Sequence, residues 1–435
     1  MTKLFGPIVV VALGLVLRAG LYASVSSGVR SYLTTSIETM SPVTSYPRIV
    51  EGKFLVDSGI DAYASGYFKV NPLVASLVFP FVSDVDVFYW FLVAVDTLTA
   101  VLLMSVTENH KVMAGTFFYL FPYTFVSELG LSIGSVDMLL AALFLFSLLR
   151  LRKLGIAALS LALLVIVKPI STVTLVFPAA LWLRRPVLHV FGSVALLWCL
   201  LQIASFTMTG SWSSFFGSFV DPLLMTPDLE PTMGMAWAIF SLIFPETVGL
   251  FRLIFHVHLF IIALPIYWRM REVAEAMPGG RLEGSLTRYV KLILAAALLY
   301  QAHPTAIDFA FIGSILIATD DTFHDKLSKI MSSGLMVGLA FTSAIAPVWL
   351  ERNTGSPNFL FHFDIVTTFL AMLAVGQGLK VLRLQWYFKE SPVVSPTKSV
   401  RARGPSPPPG NTPPGSSPTR NSPQKSVRER RIRTE

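Results

Sequence analysis

At 435 residues the chain carries 53% hydrophobic but only 14% charged side chains, with a mean hydropathy of +0.64, whereas ordinary soluble domains carry about 25% charge. These values exclude a water-soluble globular fold and require lipid as solvent. Of the net charge of +8, nine Lys or Arg minus two Glu, or +7, fall in Ser391 to Glu435, leaving the rest nearly neutral.

The run Leu4 to Leu21 has the apolar core of a signal peptide. Its length, the internal Arg18 and the lack of a small-residue cleavage site predict an uncleaved first membrane helix over 4–25. Further passes are expected at 86–106, 112–130, 133–150, 155–183 (one long or two short), 187–207, 233–268 (two), 288–320 (two short), 329–350 and 360–383. That gives about ten to twelve crossings of a ~30 Å hydrocarbon core. Helices must be the spanning element, because open strands and loops leave backbone groups unsatisfied in lipid. The runs 72–82 and 233–244, bounded by Pro or Gly, suit half-crossing helices packed against protein. The expected fold class is an all-α polytopic membrane protein, with a multipass domain over 1–388 and a basic, Pro/Ser-rich disordered tail over 389–435.

Arg150, Arg152 and Lys153, then Arg184 and Arg185, then Arg269, Arg271 and Arg281 close successive hairpins, and the positive-inside rule puts those loops and the tail in the cytosol. Between Arg30 and Asn71 the basic and acidic residues balance, so this stretch is expected in the lumen. Within it Tyr46, Ile49, Val50 and Phe54 follow Ser45 at helical spacing, with Pro47 in the first turn and Gly59 as a stop. This pattern predicts an amphipathic helix on the lumenal membrane surface.

Residues with chemical potential are few. The single cysteine, Cys199, excludes an intrachain disulfide and a thiolate metal site. Asp84-Val85-Asp86 matches the short acidic motif of lipid-sugar-dependent glycosyltransferases, but it also directly precedes an apolar helix whose N-terminus favours acids. Asp96, Asp137, Lys168, His256, His258, Asp308 and Asp364 lie inside apolar runs, where a charge costs about 2.5–3.5 kcal/mol and needs a partner or a wet cavity. Phe251 and Arg252 follow the break at Phe244-Pro245-Glu246 and are placed to line a groove for an acyl chain and a phosphate. Ser356, Asn358 and Phe359, in the turn before the final pass, put an amide at the membrane boundary, where it can hydrogen-bond a glycan or phosphate. No metal or cofactor is expected.

Several ordered stretches resemble the PIG-U family, the multipass subunit of the glycosylphosphatidylinositol (GPI) transamidase complex. They are Arg48-Ile49-Val50-Glu51-Gly52, Asp57-Ser58-Gly59, Asn71-Pro72-Leu73, Val95 to Ala100, Pro122-Tyr123-Thr124, Phe244-Pro245-Glu246 with Phe251-Arg252-Leu253, Tyr300 to Asp308 with His303-Pro304-Thr305, and Gly355-Ser356 with Asn358-Phe359 ahead of Val375-Gly376-Gln377. The resemblance covers about residues 1–385.

It implies a helix bundle similar to the GT-C membrane glycosyltransferases, adapted to recognise lipid rather than to transfer sugar. It also implies a non-catalytic role in the endoplasmic reticulum membrane, with GPI lipid, membrane lipids and other transamidase subunits as partners, the Cys/His nucleophile residing in one of those subunits. A GPI site at Phe251, Arg252, Ser356, Asn358 and Phe359 is the corresponding expectation, with Asp96, Lys168 and Asp308 as intramembrane polar groups. Nucleic acid is not an expected partner. The competing enzyme reading, a dolichol-phosphate-sugar-dependent mannosyltransferase, demands an essential acid among Asp57, Asp61, Asp84 and Asp86. A transporter would show inverted repeats, and the sequence has none.

Overall fold

The computed structural model of the chain describes residues 2–106, 111–209, 211–216, 232–244, 246–276, 280–301, 303–317, 326–350, 352, 360, 362 and 364–377. All of them belong to one compact unit, Met1–Glu390. The tail lies outside the described residues.

Among the described residues the regular structure is helical, with no strand. The elements are α1 (Thr2–Ser24), α2 (Ser27–Leu33), α3 (Tyr46–Asp57), α4 (Pro72–Val82), α5 (Val85–Val106), α6 (Lys111–Leu120), α7 (Pro122–Leu129), and α8 (Gly134–Phe146) running into a π turn, Ser147–Leu151. They continue with α9 (Leu154–Val167), a 3-10 turn (Ser171–Leu175), α10 (Val176–Leu183), α11 (Val187–Thr209), α12 (Met235–Ser241), α13 (Val248–Ala276), α14 (Gly280–Leu299), α15 (Ala306–Ile317), α16 (Lys326–Leu350) and α17 (Asp364–Gln377). Five segments are long and apolar enough to cross a membrane: Gly6–Ser24, Val85–Val106, Gly134–Leu151, Val187–Thr209 and Val248–Glu275. The chain is a multipass, all-α membrane protein.

Proline sets the breaks. Pro122 lacks an amide hydrogen and drives Phe121 to φ −73°, ψ 135°, so α6 stops there and α7 restarts with proline in its first turn. Pro169 does the same to Lys168, at φ −128°, ψ 71°. The next residue, Ile170, sits at φ 64°, ψ −70°, a strained conformation for a β-branched side chain. At 1.5 Å per residue, α9 (14 residues) and α15 (12 residues) rise only ~21 and ~18 Å, short of a ~30 Å core. Both are half-crossing helices that need protein around their inner ends.

The two faces of the bundle are fixed by hydrogen bonds. On one, Arg150 Nε donates to Ser105 O at 2.5 Å, and Arg152 pairs with Glu283 at 3.1 Å. On the other, the Tyr22 hydroxyl bonds the Asp86 carboxylate, joining the end of α1 to the start of α5. In the centre, α15 lies on α6: Phe118 and Phe311 meet edge to face at 5.9 Å, and Ser314 Oγ donates to Ala114 O at 2.8 Å. Gly313 permits this approach, since a Cβ there would come within 2.7 Å of the Phe117 ring. Lipid tails are as apolar as leucine, so this core is held by packing and hydrogen bonds rather than by exclusion of water.

The helix predicted after Ser45 forms as α3. Arg48, Ile49 and Gly52 are buried, whereas Phe54 is 66% exposed and Val50 and Val56 are also exposed. The Phe68 ring lies against Gly52, and the Arg48 guanidinium donates to Tyr67 O at 3.0 Å. The chain following the helix thus folds back onto its Arg48–Gly52 side and leaves the aromatic-aliphatic side outward.

Candidate functional site

Two half-crossing helices, α9 and α15, and the start of α8 deliver charge to one buried point. Lys168, at the end of α9, places Nζ 3.0 Å from Asp308 Oδ1 and 3.3 Å from Asp137 Oδ2, with all three side chains almost wholly buried. Asp137 and Asp308 each sit in the first turn of a helix, α8 and α15, where the N-terminal dipole favours a carboxylate. Asp308 Oδ2 also accepts from Thr305 N at 2.7 Å and Thr305 Oγ1 at 2.9 Å. The sequence marked all three residues as polar groups within apolar runs; the structure makes them one ion cluster.

The segment after α2 roofs this junction. Ala306 N donates to Glu38 O at 2.9 Å and Ile133 N to Thr44 O at 3.1 Å, so the segment satisfies amides at the start of both α15 and α8. Beside it Lys69, Asn71 and Asp137 line a cavity of about 20 Å³, room for about one water. Asn71 Oδ1 caps α4 through Leu73 N at 3.0 Å and accepts from Ser205 Oγ of α11 at 3.2 Å.

Asp96 belongs to a different cluster. Ser135 Oγ donates to Asp96 Oδ2 at 3.0 Å, close to the fully buried pair of Arg18 Nε and Glu128 Oε1 at 2.7 Å. The same guanidinium donates to Tyr119 O at 3.0 Å and to Gly14 O at 3.3 Å, and lies 3.8 Å over the Tyr119 ring. This cluster fastens α1 to α6 and α7. Arg18 was visible as a charge inside an apolar run and Glu128 stood in the predicted pass 112–130, but nothing local linked two residues 110 positions apart.

The third region collects the segments expected to form the lipid groove. Trp237 Nε1 of α12 donates to Asp364 Oδ2 of α17 at 3.1 Å, and its indole stacks on Trp349 with centroids 6.3 Å apart. Phe240 meets Phe255 of α13 edge to face at 5.7 Å. On α13, Phe251 is 43% exposed, alongside exposed Leu250, Leu253 and Ile254. The Arg252 backbone is in α13, while its side chain, together with Ser356, Asn358 and Phe359, lies outside the described residues.

The acids that a glycosyltransferase reading would recruit have structural partners. Asp84 Oδ1 caps α5, accepting from Asp86 N at 2.8 Å and Val87 N at 3.3 Å. Asp57 pairs with Lys53 at 2.9 Å, and Asp61 accepts from Tyr63 N at 3.0 Å and from the Ser214 hydroxyl. Cys199 is exposed on α11. Among the described residues no group of three His, Cys, Asp or Glu is placed to hold a metal.

Comparison with known proteins gives a consistent result. A family model described as "GPI transamidase subunit PIG-U" matches residues 12–367. The chain is similar to "GPI transamidase component GAB1 homolog" of Schizosaccharomyces pombe, at 23% identity over 390 residues, covering 82% of this chain and 90% of that protein. It is also similar to "GPI-anchor transamidase component PIGU" of Homo sapiens, at 24% over 431 residues, 86% and 91% of the two chains. "GPI transamidase component GAB1" of Saccharomyces cerevisiae aligns at 22% over 404 residues, 86% and 95%.

Proposed function

The chain belongs to the PIG-U family of GPI transamidase subunits, and from that premise we propose that it is the non-catalytic subunit that recognises the GPI lipid and presents it for attachment to precursor proteins in the endoplasmic reticulum. The observation that supports this reading best is the Trp237–Asp364 junction. It draws α12 and α17 together, with α13 and its outward apolar row at Phe251 alongside. An acyl chain against Phe251 and Phe359, with the headgroup on Arg252, Ser356 and Asn358, would hold the terminal ethanolamine near a thioester formed by a Cys-protease-like partner subunit. Orientation of this kind supplies effective molarities as high as about 10⁵–10⁸ M, so a subunit with no nucleophile of its own can still set the rate of aminolysis.

The test uses the whole transamidase carrying Phe251→Ala or Asn358→Ala. The expected result is normal co-purification of the other subunits, reduced anchoring of a GPI reporter and accumulation of complete, unused GPI lipid. Normal assembly together with normal anchoring in both variants would place the groove elsewhere.

A further inference from the structure

On the face of the bundle carrying Arg150, Arg152, Lys153, Arg184 and Arg185, opposite the end where Tyr22 meets Asp86, the ends of α8, α10 and α14 enclose a cavity of about 180 Å³ lined by Arg152, Trp182, Leu183, Arg184, Glu283 and Leu286. This far exceeds the ~10–15 Å³ one water needs. Two of its arginines hold left-handed backbone, Arg152 at φ 53° and Arg184 at φ 51°, where non-glycine residues are uncommon. Each terminates a helical segment, so the chain turns sharply twice to bring two guanidinium-bearing residues to one opening. The Arg152 guanidinium lies 5.1 Å over the Trp182 ring and is bidentate to Glu283, at 3.1 Å from each carboxylate oxygen.

We propose that this cavity binds the phosphate of an anionic phospholipid headgroup, with Arg184 as the donor and Arg152 beside it. Two features combine here: two cations against one anion, and an apolar contribution from Leu183 and Leu286 at the edge of a membrane helix bundle. Basic pockets between helices at the cytosolic boundary are suited to phosphate headgroups, and the planar arginine fork matches phosphate geometry. The site lies on the opposite face from the Tyr22–Asp86 end and does not depend on the GPI reading.

The experiment is a native mass-spectrometric titration of the full-length protein in mild detergent with dioctanoyl phosphatidic acid, against dioctanoyl phosphatidylcholine and inorganic phosphate. Wild type should take up the anionic lipid in preference to phosphatidylcholine. Arg184→Gln should weaken that uptake by about tenfold, the loss of one charged hydrogen bond, whereas Glu283→Gln should strengthen it by removing the competing carboxylate. The opposite sign separates a binding site from a merely structural cluster, in which both changes would act alike. Persistence of the lipid in millimolar inorganic phosphate supports a lipid headgroup; displacement by it supports the same phosphate chemistry from a soluble source. Unchanged lipid uptake in Arg184→Gln, with the variant folded by its melting profile, would overturn the proposal.

Discussion

The segments long enough to cross a membrane fall into two groups that hydropathy alone does not separate. Val85–Val106 and Gly134–Leu151 are 61% and 67% buried within the protein, whereas Gly6–Ser24, Val187–Thr209 and Val248–Glu275 are 11%, 17% and 12% buried. All five are apolar because every non-polar surface here faces either lipid or another apolar side chain. The polar residues distinguish them: α5 and α8 carry Asp96 and Asp137 into the interior, while α11 turns Leu188, Leu196, Leu200 and Ile203 outward. The N-terminal segment is the instructive exception, since it is almost wholly peripheral yet fully buries Arg18. The Arg18–Glu128 ion pair, the Tyr22–Asp86 hydrogen bond and the Tyr22–Tyr89 stack hold this helix to α5, α6 and α7.

That contrast can be broken most severely at the centre. Lys168→Met leaves Asp137 and Asp308 without their cation and should cost about 3–5 kcal/mol, read as loss of monodisperse protein and a lower melting temperature in detergent. Adding Asp308→Asn should recover part of the loss. Arg18→Met strands Glu128 and should cost somewhat less, because only one carboxylate bonds that guanidinium directly. Its signature is local: faster proteolysis and new labelling of α1, with the remainder of the bundle intact. Gly14→Ala, whose Cβ would collide with the Tyr119 ring, should loosen the same helix by about 1–3 kcal/mol without touching a charge. At the rim, Leu196→Ala on the lipid face of α11 should stay within about 0.5 kcal/mol in a thermal-shift assay; a larger drop would show that this face is covered by protein.

The smallest effect belongs to the exposed Arg152–Glu283 pair, worth at most ~1 kcal/mol. Its hydrogen bond and the Arg152 charge hold the Glu283 carboxyl below its ordinary 4.5. The unfolded chain therefore binds this proton first, and the pair's contribution is complete above that ordinary value and fades as pH falls through the lowered one. Melting curves of wild type and Glu283→Gln should differ at neutral pH and converge in acid.

Much of this architecture was legible in sequence because lipid imposes a simple rule on helix length and proline imposes a local rule on helix ends. The break at Lys168-Pro169 follows from those rules, and so does the placement of Asp84 ahead of α5, where its acid turned out to be a cap. The single pass expected over 112–130 is corrected: Pro122 divides it into α6 and α7. The partners were not legible. Lys168 and Asp308 are 140 residues apart, and no periodicity within either segment specifies the other. The same holds for Trp237 with Asp364, 127 residues apart. The protein-facing side of α3 was not legible for a related reason: the chain that packs on the helix approaches Gly52, and only the tertiary structure shows from which direction it comes, while Val50 and Phe54 stay exposed.

The distance between Lys168 and Asp308 also has a meaning in time. A chain elongating at about 5–20 residues per second needs roughly 7–28 s to make the 140 residues between them. Throughout that interval the hairpin of α9 and α10, too short to cross by itself, holds its lysine ahead of the carboxylate that will bond it most closely. Asp137, already made and 3.3 Å away in the finished molecule, is the counter-ion at hand. The two acids of the cluster thus differ in order of synthesis: one precedes the lysine in the chain and the other follows it by 140 residues.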